Sequence, residues 1–95
     1  MRLDHEEKRA LMTALEGVRA NAVYLFGSRV DDNARGGDID ILILTEEPGF
    51  ETSQRVATRF FSECEERIDV IVMNPRALSA QQAAFLETIR KERIQ

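Results

Sequence analysis

The sequence is poor in the residues from which many protein sites are built: its 95 residues include one cysteine, one histidine and no tryptophan. A single cysteine, Cys64, excludes an internal disulfide framework and a cysteine-rich zinc site. A single histidine, His5, argues against a metal centre built from histidines and against a Ser-His-Asp triad. Disulfide-stabilised, zinc-binding and triad-dependent classes are therefore excluded or disfavoured.

Long apolar runs are also missing. The longest cover residues 22–26, 41–44 and 70–73, and each is far shorter than a membrane-spanning helix. The first residues contain no apolar segment of the kind found in a secretory signal peptide. We therefore expect a cytoplasmic protein with no membrane association.

Positive charge is not in excess, since 17 acidic residues outnumber 13 basic ones and the net charge is -4. Broad binding to nucleic acids needs clustered lysine and arginine, so no direct nucleic-acid binding is expected. Hydrophobic residues make up 43% and charged residues 32%, as in ordinary globular domains. A chain of this length forms one domain, residues 1–95, with little room for a separate substrate-holding part.

Hydrophobic periodicity and turn residues predict six elements. In chain order they are a helix at 4–17, strands at 22–26 and 38–44, a helix at 52–65, a strand at 68–73 and a helix at 75–91. Asp4 is expected to cap the first helix, and Pro75 to open the last one. The order α-β-β-α-β-α predicts an α/β (α+β) fold with a small mixed sheet and helices packed mainly on one face.

Each helix carries an apolar stripe that is expected to face the core. The stripes are Leu3, Ala10, Leu11, Ala14, Leu15 and Val18; then Val56, Ala57, Phe60, Phe61 and Cys64; then Ala83, Phe85, Leu86 and Ile89.

Three aspartates occupy strand positions, where aspartate is normally depleted. Asp38 and Asp40 are two residues apart, so their side chains point to the same side of the second strand. Asp69 lies on the third strand, and we expect it on the same side if the two strands are neighbours. Three close carboxylates need a cation or protons to offset their repulsion. Oxygen ligands suit Mg²⁺, so this pattern favours a metal site for phosphoryl or nucleotidyl transfer over solvent-exposed strand ends.

A glycine and a serine follow the first strand directly. Gly27 allows close approach of a phosphate to the backbone, and the Ser28 hydroxyl with nearby N–H groups can bind phosphate oxygens. The next residue, Arg29, is a candidate for neutralising a triphosphate. Taken alone, this triplet is also what a plain turn would contain.

The stretch from Leu25 through Gly27-Ser28 to Asp38-Ile-Asp40 resembles the signature of the DNA polymerase β-like nucleotidyltransferase superfamily. That signature is Gly-Ser after a strand, about ten variable residues, and Asp-x-Asp on the next strand; nine residues intervene here. The resemblance implies that Asp38, Asp40 and Asp69 bind two Mg²⁺ ions and act catalytically. It implies nucleotide binding by Gly27, Ser28 and Arg29, with ATP as substrate.

The short length is similar to that of minimal nucleotidyltransferases, the antitoxins of HEPN/MNT toxin-antitoxin pairs. That resemblance implies transfer of AMP to a tyrosine of a helical HEPN RNase toxin, with Asp69 activating the hydroxyl. The face of the sheet that carries the aspartates also carries Leu42, Leu44 and Ile71, which need cover from the third helix, a partner chain or a second copy. Homo- and hetero-oligomers both fit this expectation.

Two other functions stay open at this point. A binding-only antitoxin would occlude its toxin without chemistry. Transfer to a small molecule, as in aminoglycoside nucleotidyltransferases, would need an acceptor pocket supplied by another subunit, and RNA is a weaker candidate acceptor because of the net charge.

Overall fold

A computed structural model of the chain describes residues 2–33 and 37–95. The elements are α1 (His5–Ala14), β1 (Ala22–Phe26), a 3-10 turn (Gly27–Val30), β2 (Ile39–Leu44), α2 (Gly49–Glu63), β3 (Ile68–Met73), α3 (Ala80–Thr88) and β4 (Lys91–Arg93). The described part of the chain thus forms three helices and a four-stranded mixed sheet, which confirms the predicted α/β (α+β) class. No helix in this part is both long and apolar enough to cross a membrane.

The sheet has the strand order β3-β2-β1-β4. β1 runs antiparallel to both β2 and β4, whereas β2 and β3 are parallel. A parallel pair needs a long crossover connection, and α2 supplies it between β2 and β3. The two aspartate-bearing strands are therefore neighbours, as the sequence analysis required.

The core lies between one face of the sheet and the helices α1 and α2. Alternate residues of β2 face it, because side chains on a strand alternate between the two sides. Its fully buried members include Val23, Leu25, Ile39, Ile41, Ile43, Leu11, Ala14, Val56 and Phe60. Helices packed mainly on one face were predicted, and this arrangement confirms them.

The first helix begins as the sequence predicted. The Asp4 side chain accepts the Glu7 N–H at 2.8 Å, and the Glu7 side chain accepts the Asp4 N–H at 3.0 Å. This reciprocal capping box satisfies two N–H groups that have no partner inside the helix. The helix ends at Ala14, earlier than predicted, and the chain turns at Gly17, whose φ is +82°.

The last helix differs from its prediction in both position and packing. It begins at Ala80 instead of residue 75, because Ser79 and Gln82 form a capping box. It has no buried residue, and Ala83 is exposed. Its main aromatic contact is made by Phe85, whose ring packs edge-on against Phe26 with centroids 5.7 Å apart.

No sequence pattern predicted β4, which consists of the charged residues Lys91, Glu92 and Arg93. It pairs with β1, and the pairing extends to the end of the chain: the Ile94 N–H donates to the Val23 carbonyl at 2.8 Å. The helix predicted to reach residue 91 therefore ends at Thr88. This strand follows from long-range pairing with β1 and not from local propensity.

The second helix begins at Gly49, three residues before its predicted start, with Pro48 preceding it. Thr52, Val56 and Phe60 form its buried side at intervals of four residues. Phe61 was predicted to lie in the core but is 54% exposed. The correction has a geometric cause, because adjacent helical residues point about 100° apart and Phe60 already faces the sheet.

Candidate active site

The structure brings the three predicted aspartates to the same edge of two neighbouring strands. Asp40 of β2 and Asp69 of β3 are direct partners in the parallel register. Asp38 comes immediately before β2, two residues from Asp40. The intervening Ile39 is fully buried in the core, so the aspartates project from the opposite side of the sheet.

The electrostatics of Asp40 show that these carboxylates influence one another. Partial burial raises the pKa of Asp40, and the negative charges of Asp69 and Asp38 raise it further. No hydrogen bond or ion pair joins any of the three carboxylates to another residue of the described chain. The cluster therefore carries uncompensated negative charge, which favours a bound cation.

Gly27 lies directly against Asp40. The backbone of Gly27 has φ = +75°, and a Cβ atom built there would overlap Asp40 Oδ2. The preceding residue, Phe26, is paired in register with Asp40. Glycine is therefore required at this position for two reasons: the backbone has a positive φ, and the Asp40 carboxylate occupies the space that a Cβ atom would need.

Ser28 is in contact with a second glycine on the far side of the connecting segment. Gly37 has φ = +92°, and a Cβ atom there would overlap Ser28 Oγ. Gly37 immediately precedes Asp38, so the hydroxyl of Ser28 lies beside the segment that leads into β2. Gly27, Ser28 and the aspartates consequently form one continuous, solvent-accessible surface.

Arg29 has an intramolecular role that its sequence position did not indicate. Its side chain is buried, with 7% exposure, and Nη1 and Nη2 each donate to one Glu7 carboxylate oxygen at 2.9 Å. Nε donates to the Gly37 carbonyl at 2.9 Å, and Nη1 also donates to the Arg2 carbonyl at 2.8 Å. Four of its five N–H groups are therefore engaged by the protein itself, and the triphosphate contact of Arg29 stays a prediction.

The pKa values of the buried pair shift in opposite directions. Burial raises the pKa of Glu7, but hydrogen bonds from Arg29 and the Asp4 backbone, with the charges of Arg29 and Arg2, lower it below its usual range. The hydrogen bond to Glu7 raises the pKa of Arg29. Both side chains are therefore charged at neutral pH, and each neutralises the other.

Comparison with known protein families agrees with this geometry. The family model described as "Polymerase beta, Nucleotidyltransferase" matches residues 9–91. The chain belongs to this nucleotidyltransferase family. No curated protein matched the chain.

Membership of the nucleotidyltransferase family implies nucleotidyl transfer, with a nucleotide as one substrate. The match includes both strands that carry aspartates and the 3-10 turn between β1 and β2. It leaves the acceptor undefined.

Nucleotidyltransferases of this family generally use Mg²⁺, and the donor set here fits that ion. The available ligands are carboxylate oxygens, which Mg²⁺ prefers, and they carry uncompensated charge. Within residues 2–33 and 37–95, however, no three acidic, histidine or cysteine side chains are positioned to coordinate a metal as they stand.

Two residues of this region were missed from the sequence. Two glycines precede Asp38 in the sequence, and the second of them, Gly37, is in contact with Ser28. Glu7 lies in the first turn of α1, where an acidic residue is common, yet it is 4% exposed and paired with Arg29. No local pattern connects residues 7 and 29, because the contact arises only when α1 packs beside the 3-10 turn.

Proposed function

We propose that this protein is a Mg²⁺-dependent, cytoplasmic antitoxin that transfers AMP from ATP to a tyrosine hydroxyl of a helical HEPN RNase toxin. The observation that supports nucleotidyl transfer is the contact between Gly27 and Asp40. Asp69 is the strand partner of Asp40, and Asp38 is two residues away. This contact joins a candidate phosphate-binding turn to a carboxylate cluster on one surface. The identity of the acceptor is supported by the resemblance to minimal nucleotidyltransferases.

In the proposed reaction, the hydroxyl oxygen of the acceptor forms a bond to the α-phosphorus of ATP. The bond between that phosphorus and the oxygen bridging to the β-phosphate breaks, and pyrophosphate leaves. Asp69 accepts the proton of the attacking hydroxyl. Gly27 and Ser28 bind the triphosphate and orient it for in-line attack.

Asp38, Asp40 and Asp69 are the residues that would bind Mg²⁺, as two ions. When bound, Mg²⁺ stabilises negative charge on the attacking and leaving oxygens. The carboxylates and the triphosphate are both negatively charged, so they could lie side by side only if bound Mg²⁺ offset their repulsion.

The surroundings of the cluster support a protein as acceptor. Leu42 is fully buried, but Leu44 and Ile71, which lie on the same face of the sheet, are only half-buried. α3 covers part of this face through Phe85, although none of its residues is itself buried. A second protein that packs here would cover the remaining apolar surface and bring a hydroxyl to the aspartates.

Co-expression with the product of the adjacent gene, as the proposed toxin, tests the proposal. Intact-mass measurement of the toxin should show a gain of one or more AMP units, and peptide mapping should place them on tyrosine. The Asp38→Asn, Asp40→Asn double variant should leave the toxin unmodified while remaining folded by circular dichroism. Unmodified toxin with the wild-type protein, or equal labelling by the double variant, would overturn the proposal.

A second candidate function is a binding-only antitoxin. It is favoured by the half-buried Leu44 and Ile71 beside the cluster, which a bound protein would cover whether or not it is modified. Toxin neutralisation by the same double variant separates the two functions. Full protection without labelling supports binding alone, whereas loss of protection supports nucleotidyl transfer.

A further inference from the structure

The 3-10 turn is tied to the N-terminal segment by hydrogen bonds that take no direct part in the proposed chemistry. The Glu7 carboxylate and the Arg29 guanidinium form a two-pronged pair with both N–O distances at 2.9 Å. Both side chains are at least nine-tenths buried. A bidentate pair of this kind fixes the plane and direction of the guanidinium.

The remaining donors of Arg29 connect two further segments. Nε–H donates to the carbonyl of Gly37, the residue before Asp38, and Nη1 donates to the carbonyl of Arg2. One side chain therefore joins α1, the N-terminal segment, the turn that carries Ser28, and the segment that leads into β2. Two of these four segments contain residues assigned to nucleotide or metal binding.

Arg2 completes the connection from the other side. Its backbone N–H donates to the Arg29 carbonyl at 2.7 Å, and its side chain donates to the carbonyls of Ser28, at 2.9 Å, and Asp31, at 2.6 Å. Three carbonyl groups of the turn region thus accept hydrogen bonds from this one residue. The turn is therefore held in two ways, through the side chain of Arg29 and through backbone carbonyl groups that accept hydrogen bonds from Arg2.

We infer that Arg29, oriented by Glu7, is a positioning residue that sets the placement of Ser28 relative to Asp38 for nucleotide binding. The inference rests on the proposed function. A purely stabilising ion pair would need no bond to the Gly37 carbonyl, whereas Arg29 binds that group and carries Ser28 as its own chain neighbour. Because displacements of about 1 Å can strongly reduce catalysis, a fixed distance between these segments has a direct consequence for the site.

The substitution Arg29→Lys tests this role in the full-length protein. Lysine keeps a positive charge for Glu7, but its single ammonium lacks the planar fork that also reaches the carbonyls of Gly37 and Arg2. The matched control is Arg59→Lys, because Nη1 of Arg59 donates to the Glu16 carbonyl at 2.6 Å and so joins α2 to the end of α1. The control alters an arginine–carbonyl contact just after α1 that does not involve the 3-10 turn.

Two measurements separate positioning from stability. Calorimetric titration with Mg·ATP, at a temperature where every variant is folded, should show binding at least about tenfold weaker for Arg29→Lys and unchanged for Arg59→Lys. Amide hydrogen exchange should be faster in residues 27–33 and 37–40 of Arg29→Lys and unchanged there in Arg59→Lys. Glu7→Gln, which keeps the capping interaction, should show the same two changes and serves if Arg29→Lys does not fold.

The outcomes are distinguishable from failure of the proposed function. If the wild-type protein binds no Mg·ATP, the proposed function is wrong and this inference fails with it. If the wild-type protein binds Mg·ATP and Arg29→Lys binds equally well, with lower thermal stability alone, the inference is overturned while the proposed function stands. Equal losses in Arg59→Lys would also overturn it, because the effect would then be one of general stability.

Discussion

Gly27 lies so close to the carboxylate of Asp40 that a methyl group on Gly27 would overlap Asp40 Oδ2. The turn after β1 and the carboxylate of β2 therefore cannot be changed independently. Any side chain at position 27 must displace Asp40, distort the turn, or do both. Gly17 is a matched control for this contact, because its backbone conformation is similar but no atom lies where its Cβ would be.

Gly27→Ala should abolish binding of Mg·ATP, whereas Gly17→Ala should not affect it. Both glycines have positive φ, +75° and +82°, so both substitutions introduce backbone strain of about 1–2 kcal/mol. A Cβ atom at Gly17 would meet nothing within 4 Å. Titration calorimetry on the two folded variants isolates the collision with Asp40, and equal binding by both would refute the role assigned to this contact.

Asp40→Asn should make the metal-free protein more stable at neutral pH. The folded-state pKa of Asp40 is raised by burial and by the charges of Asp69 and Asp38. The stability linked to its neutral form is present below the unfolded value of about 3.8 and is lost as pH rises through the higher folded value. At pH 7 the charged carboxylate is therefore a cost that asparagine removes.

Thermal melts in the presence of EDTA measure this effect. We expect the melting temperature of Asp40→Asn to exceed that of the wild-type protein at pH 7, because asparagine carries no charge to be buried or repelled by Asp69 and Asp38. The advantage should shrink as the pH falls towards 3.8. Glu87→Gln, at an exposed position on α3, is the control. A lower melting temperature for Asp40→Asn than for the wild-type protein would show that Asp40 is not destabilised by burial and by the charges of Asp69 and Asp38.

The alternation of residues in β2 and β3 made the aspartate cluster predictable from the sequence. Ile39, Ile41 and Ile43 could face only the core, which forced Asp38 and Asp40 to the other side. The placement of Asp69 depended on β2 and β3 being neighbours, a condition that the parallel pairing in the structure meets. A strand pattern is read two residues at a time, so only the placement of Asp38 and Asp40 needed no long-range information.

Other features depended on contacts that no local pattern records. The residues Lys91–Arg93 lack the apolar alternation of a strand, and they form one only because the edge of β1 is available. Arg29 follows a Gly-Ser pair, which favoured a phosphate contact, but the partner that buries it is 22 residues earlier in the chain. The sequence contains the capping pair Ser79 and Gln82 that starts α3. The prediction instead placed the start at Pro75, because proline is also common at the first position of a helix.

The ion pair between Glu7 and Arg29 should make stability sensitive to acid. Hydrogen bonds and charges lower the folded-state pKa of Glu7 despite its burial. A lowered carboxyl pKa contributes stability that is fully present above the unfolded value, about 4.5, and is lost as pH falls through the lower folded value. Glu7→Gln should therefore destabilise the protein strongly at pH 7 and only weakly at acid pH.

Urea denaturation of both proteins at pH 7 and near pH 3 tests this dependence. Because the pair is buried, we expect a loss of about 3 kcal/mol in the free energy of unfolding at pH 7, with a smaller difference between the two proteins near pH 3. Gln retains the capping box with Asp4, so the difference reports the pairing with Arg29. A difference that does not change with pH would show that the Glu7 charge contributes no stability.

Mg·ATP should stabilise the wild-type protein against heat, and the Asp38→Asn, Asp40→Asn double variant should not respond. A ligand that binds only the folded state at about a hundred times its Kd adds about 2.7 kcal/mol to the free energy of unfolding. Differential scanning fluorimetry with ATP and Mg²⁺, each alone and together, followed by EDTA, measures this shift. We expect the full shift only with both ligands and its reversal by EDTA, because the carboxylates and the triphosphate would share the cation. The Glu87→Gln control should respond like the wild-type protein, and a double variant that is stabilised to the same extent would show that nucleotide binding does not depend on these aspartates.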